Sequence, residues 1–169
     1  MPSLSAHGLT VAPPPGWEGR IFRRPQQGEA ASADTGGGAP APAGAQTFPV
    51  LHVATIPLPN NVADYASDAV EDLRPNDSIV VLKEFAPANA TQALFASEGL
   101  PRTLDPDAFA PNALQRHIAG QAGYQAFFHE VARAFCLYVI LGGYTNRHQV
   151  VPGVVQVLES VSIDPVSSP

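Results

Sequence analysis

Cys136, the only cysteine of the 169-residue chain, and His129 seven positions before it invite a chemical reading first. A thiol beside an imidazole can give up its proton to the ring and attack as a thiolate. Cys136 lies within FCLYVI, however, and a thiol in so apolar a run is ordinarily inert core. The two residues fall on the two arms of one expected hairpin, where a slip of one residue sends their side chains to opposite faces. The sequence therefore predicts a core cysteine rather than a nucleophile. The five histidines (His7, His52, His117, His129 and His148) include no pair at ligand spacing, and His129-Glu130 lacks the second histidine of an H-E-x-x-H motif. No metal and no cofactor is expected. A lone cysteine also excludes an internal disulfide or a cysteine-based cluster. Gly36–Gly38 precede no helix that could make them a phosphate cradle, and no G-x-S-x-G elbow occurs.

Two sets of residues remain as candidate binding sites. Trp17 with Arg20, Arg23 and Arg24 forms a short aromatic and basic cluster after the PPPG run, suited to contact with an acidic partner or simply a solvated strand end. Tyr124, His129, Glu130 and Arg133 surround the turn of the hairpin and are the alternative, a small-ligand or enzyme site. Asp64, Asp68, Glu71 and Asp72 form an acidic stripe without calcium-loop spacing, which reads as a solvated helix face.

The elements that must position these residues centre on 123–142. Tyr124–Phe128 and Ala134–Leu141 are two apolar, β-rich runs around a break at His129–Arg133, predicted to pair as a hairpin. In the second run Phe135, Leu137, Val139 and Leu141 share one face and Cys136, Tyr138 and Ile140 the other. Both faces are apolar, so this strand is expected inside a sheet covered on both sides. Further strands are predicted at Gly8–Ala12, Glu18–Arg23, Phe48–Leu58, Ser78–Phe85 and, more weakly, Asn112–Ile118. Helical periodicity marks Asn60–Leu73, and Pro152–Ser160 reads as a closing helix with Pro152 in its first turn. Pro25–Gln46 has no large apolar residue and reads as a flexible Pro/Ala/Gly-rich insertion within one domain spanning 1–169. The expected class is α+β, a mainly antiparallel sheet of six or seven strands flanked by helices.

Nine basic against fifteen acidic side chains give a net charge of −6, which argues against general nucleic-acid binding. No run is long and apolar enough for a membrane span, and no basic start followed by an apolar core marks a signal peptide, so a cytoplasmic location is expected.

The Gly-Leu-Thr-Val strand at 8–11, the PPPGW turn, an amphipathic helix, central antiparallel strands and a closing VLESVSI-type helix at 157–163 follow one another in an order that resembles the PsbP-like fold group. That group includes the photosystem II extrinsic subunit, a small Ran-binding nuclear-transport factor and many bacterial proteins of unknown role. The resemblance implies an α/β/α sandwich whose members mostly bind other proteins, and it supplies no catalytic motif. Two functional classes follow. One is a non-catalytic protein-interaction or assembly module, and the other is a small enzyme or ligand-binding domain with its site near the 124–133 turn.

Overall fold

The computed structural model describes residues 3–23, 48–58, 66, 69–114 and 116–165. They form eight strands and one α-helix: β1 (Leu4–Ala6), β2 (Leu9–Val11), β3 (Glu18–Arg23), β4 (Pro49–Ala54), β5 (Ser78–Phe85), β6 (Ala122–Glu130), β7 (Arg133–Leu141), α1 (Arg147–Glu159) and β8 (Ser162–Ile163). The strands divide between two antiparallel sheets. A five-stranded sheet has the order β3-β4-β5-β7-β6, and a three-stranded one the order β1-β2-β8.

The large sheet is two-sided, as its sequence alternation demands. Leu51 and Val53 of β4, Val80 and Leu82 of β5, and Phe135, Leu137, Val139 and Leu141 of β7 enter one apolar cluster, closed by Val151, Val154, Val157 and Leu158 of α1 and by Leu9, Val11 and Ile163 of the small sheet. Val50, Ala54, Ile79, Val81, Cys136, Tyr138 and Ile140 enter the opposite cluster with Ile56, Leu58, Ala66, Ala69 and Val70. Every residue of β7 is buried, so the strand expected to be central lies inside the sheet with both faces covered.

The architecture departs from expectation where local signals were overridden. A single sheet of six or seven strands flanked by helices gives way to two sheets, and α1 is the one α-helix among the described residues. Pro25–Gln46 lies outside the described residues, as does most of Asn60–Leu73. The end of that stretch, Val70–Asp72, is a 3-10 turn. Asn112–Ile118 is not a strand. Pro111–Ala113 form a 3-10 turn, and a single bridge joins Ala110 to Gly123. Pro111 has no N–H to give a ladder, while Leu114 and Ile118 find burial against the second cluster without pairing. The closing helix begins at Arg147, five residues before Pro152, which therefore sits inside it. A proline in the second turn loses only the bond to a carbonyl of the exposed first turn, a position solvent can serve. The helix ends at Glu159 instead of running through the 157–163 segment, and Ser162–Ile163 join the small sheet. Arg102 supports that ending by donating from Nη1 to the carbonyls of Leu158 (2.8 Å) and Val161 (2.7 Å).

The hairpin break is also narrower than the composition suggests. β6 and β7 pair from Ala122–Leu141 to Glu130–Arg133, leaving only Val131 and Ala132 in the loop. Both take positive φ, 47° and 64°, as a two-residue hairpin requires, although neither is a residue that favours this region.

Extending the ladder this far places Arg133 in the interior, 3% exposed, against Glu84 of β5, 5% exposed. Arg133 Nε and Nη2 donate to Glu84 Oε2 and Oε1 at 2.9 and 2.6 Å, a two-pronged pair. The same guanidinium donates to the carbonyls of Asp164 (2.7 Å) and His7 (3.1 Å), so one side chain of the large sheet holds both the β1–β2 turn and the end of β8. Gly8 completes the joint. Its φ is +80°, and a Cβ there would lie 2.6 Å from Arg133 Nη1.

Removing one partner leaves the other charge buried and unpaired, so Arg133→Met is expected to lower the unfolding free energy by about 3–5 kcal/mol in urea denaturation. Arg133→Met with Glu84→Leu should recover most of that loss, and equal destabilisation in the single and double variants would contradict the pairing argument. At the hairpin, Val131→Asn with Ala132→Gly should raise the unfolding free energy by about 1 kcal/mol or more by relieving two positive-φ residues. An unchanged or lower denaturation midpoint would count against that strain.

Candidate functional site

The structure disperses most of the residues singled out by type. In β6, Tyr124 and Phe128 face the helix-covered cluster, with the Tyr124 ring 5.6 Å from that of Phe109. His129 projects to the opposite face by strand alternation. Its Nδ1 lies 2.7 Å from the Phe95 carbonyl, which only accepts, so Nδ1 carries the proton in that contact. Glu130 Oε1 accepts the Leu100 N–H at 2.9 Å, and Arg133 is committed to the joint between the sheets. Tyr124, His129, Glu130 and Arg133 therefore do not converge on one space, and the polar atoms of the last three secure the loop after β5 and the small sheet.

His129 and Cys136 share a face, two residues out of register, because Phe127 rather than His129 stands opposite Cys136. The thiol is fully buried, 3.6 Å from Gln125 Nε2 and 3.8 Å from the Leu137 carbonyl. Among the described residues, no group of three or more His, Cys, Asp or Glu side chains is placed to hold a metal ion.

The basic cluster does not form a single patch. Arg24 lies outside the described residues. Arg20 stands opposite His52 on the face of the second cluster, where its Nη2 donates to the Leu58 carbonyl (3.1 Å) while Glu18 Oε2 accepts the Leu58 N–H (2.8 Å). Alternation puts Arg23 on the other face, exposed at the strand end.

Trp17 is different, because the structure builds a site around it. Pro14–Trp17 is a type II turn: the Trp17 N–H bonds the Pro14 carbonyl at 3.1 Å, Pro15 takes the second position, and Gly16 takes the third with φ +87°. The turn delivers the half-buried indole onto α1 at Gly153, where a Cβ would stand 3.4 Å from Trp17 Cζ2. Leu4 packs over Gly19 beside it, close to the Pro13 ring.

Two pockets result, each with Trp17 in its lining. The first, about 450 Å³, is walled by Leu4, Pro13, Pro14, Pro15, Gly16 and Trp17 with Ser3 and Gly19. Its side chains are apolar except for Ser3, and the three prolines contribute no N–H. The second, about 260 Å³, lies between Trp17 and α1 and is lined by Thr55, Asn76, Ser78, Gln149 and Val150 with Gly153. Thr55 Oγ1 is already occupied, donating to Asp77 Oδ1 (2.8 Å) and accepting the Ser78 N–H (3.0 Å). No ionisable side chain lines either pocket.

Of the candidates read from the sequence, only Trp17 belongs to this groove. The PPPGW run signalled the turn but not the pocket that its prolines wall. Ser78, Asn76 and Gln149 carried no signal, since a polar residue at a strand or helix start is ordinary.

No known family model matches the chain, and no curated protein or solved structure matches it either. Among the described residues, no helix is long and apolar enough to cross a membrane.

The burial of Cys136 gives a direct check. Its thiol should be unreactive toward a colorimetric disulfide reagent in the native protein and react fully in denaturant. Rapid reaction of the native protein would restore Cys136 as a candidate nucleophile.

Proposed function

We propose that the chain is a non-catalytic protein-interaction or assembly module that docks an extended segment of another protein against Trp17. The observation that carries this reading is the proline-walled pocket beside the indole. An exposed, rigid, uncharged apolar concavity next to a tryptophan is unusual on a surface with a net charge of −6, and such patches mark interaction sites. Its chemistry selects the occupant. Proline walls offer no N–H to a partner's backbone, so the segment is held by side-chain shape. A segment presenting proline or a small aliphatic residue fits, because polyproline II chains need no hydrogen bonds of their own and present apolar ridges to aromatic grooves.

The resemblance to the PsbP-like group, whose members mostly bind other proteins, supports the same class of function. The alternative, an enzyme or ligand-binding domain at the 124–133 turn, is the weaker reading. His129 faces the other side of the sheet from Tyr124, and His129, Glu130 and Arg133 are bonded to neighbouring backbone or to Glu84.

Trp17 is the only tryptophan in the chain, so its fluorescence reports on the groove without labelling. Titration with capped hexaproline should shift the emission to shorter wavelength and saturate. Leu4→Glu, which places a charge in the apolar wall, should abolish the shift in protein whose melting curve shows it is folded. An emission spectrum indifferent to hexaproline, or a shift that survives Leu4→Glu, would refute docking at this pocket.

A further inference from the structure

We propose that the outer edge of β3 is a backbone-pairing track for the docked segment, which joins the proline-walled pocket and adds an antiparallel strand along Gly19 and Ile21. The inference deepens the docking reading above and rests on it. It starts from the register of the large sheet. The Thr55 N–H donates to the Ser78 carbonyl at 3.1 Å, so that pair is hydrogen-bonded, as is every second pair of β4 with β5 beyond it. Val50, His52 and Ala54 accordingly turn their N–H and C=O groups toward β3, where they meet Phe22, Arg20 and Glu18. The same alternation turns the N–H and C=O groups of Gly19 and Ile21 away from the sheet. Among the described residues no hydrogen bond reaches these outward groups. The opposite edge is closed at both ends: Gly123 of β6 exchanges bonds with Ala110, and His129 bonds Ser97 and Gly99.

Unpaired strand edges are templates for an extended chain, and neither Gly19 nor Ile21 is a proline or charged residue of the kind that blocks one. Gly19 has only backbone atoms, so its partial exposure is exposure of backbone, and it lines the pocket beside Trp17. Track and pocket are continuous because Gly19 belongs to both. An antiparallel partner exchanges two bonds with each outward residue, whereas a parallel one pairs less stably. The pocket lies at the start of β3, and an antiparallel segment runs from Ile21 toward Gly19. Its N-terminal part therefore pairs with the edge, and its C-terminal part enters the pocket. The edge requires N–H groups, which proline lacks, while the pocket requires none. The occupant is thus a short strand followed by proline, and the residue before a proline already favours the extended region.

The test uses the full chain, the capped peptide Ser-Val-Thr-Val-Pro-Pro, and two derivatives N-methylated at the threonine or at the valine after it. Binding is followed by tryptophan fluorescence and by amide exchange in NMR spectra. In the free chain the Gly19 and Ile21 amides should exchange quickly and that of Arg20 slowly, and saturating peptide should protect Gly19 and Ile21. Only alternate residues of an added strand turn their N–H toward its neighbour. One N-methyl group should therefore weaken binding about three- to tenfold, and the other should leave it unchanged. Slow exchange at Gly19 and Ile21 in the dilute free chain would show the edge already covered and overturn the track. Protection that grows with protein concentration alone would give the edge to a second copy and overturn it too. Peptide binding without that protection, or with the same response to both N-methyl groups, would overturn the track while leaving the pocket reading intact. Failure of both this peptide and hexaproline to bind would remove both.

Discussion

The guanidinium of Arg133 is the charge around which this fold closes. It sits at the first position of β7, almost fully buried, and its donors serve a carboxylate of the large sheet and three carbonyls of the small one and its turn. Such a group is tolerated only when its donors are met in good geometry. Glu84 meets two of them, and the remainder reach backbone that no other sheet could pair. The guanidinium also lies over the Phe135 ring, with Cζ 5.3 Å from the centroid. The β1–β2 turn must therefore come within a hydrogen bond of β7, and Gly8 must lack a Cβ. The orientation of the small sheet follows from satisfying this single side chain.

That orientation reaches the groove. β1 is fixed at one end by Arg133 through His7 and at the other by pairing Leu4 with Val11. Leu4 then lies over Gly19, and the chain leaving β2 must reverse within 12–17 to enter β3. The type II turn accomplishes this, and α1 at Gly153 limits how deeply the indole can sink. Trp17 is left half in the core and half in the groove. Its depth is set by one joint on the far side of the small sheet and by the missing side chain of one helical glycine.

Much of the large sheet was legible in the sequence because its strands carry apolar residues on both faces and turn signals at their ends. Ser78–Phe85 and Glu18–Arg23 match their expected bounds, and the two-face assignment of β7 follows from alternation alone. Errors arose where a local signal met a tertiary demand. Arg133 looked like a turn residue because it is charged and near a break, yet Glu84, forty-nine positions earlier, draws it inside and lengthens the hairpin. Pro152 looked like a helix start, but the helix runs back to Arg147, and Val151 before the proline is buried in the cluster that α1 closes. At the groove, composition pointed to Trp17 and its turn. The polar half remained hidden because Ser78, Asn76 and Gln149 meet only through the pairing of β4 with β5 and the packing of α1. The arginines after Trp17 misled for the complementary reason, since strand alternation separates residues that the linear sequence groups.

The form of the groove also bears on how it would work. A site of mobile side chains must lose their freedom each time it binds, whereas prolines have already lost theirs and an indole wedged against a helix has few rotamers to surrender. Binding by such a surface depends less on the number of contacts than on how little must be ordered. It also gains little from long-range electrostatics, because neither pocket contains a charge and the net charge of the chain is negative. For the docking proposed here, selectivity at Trp17 therefore has to come from shape in the proline-walled half.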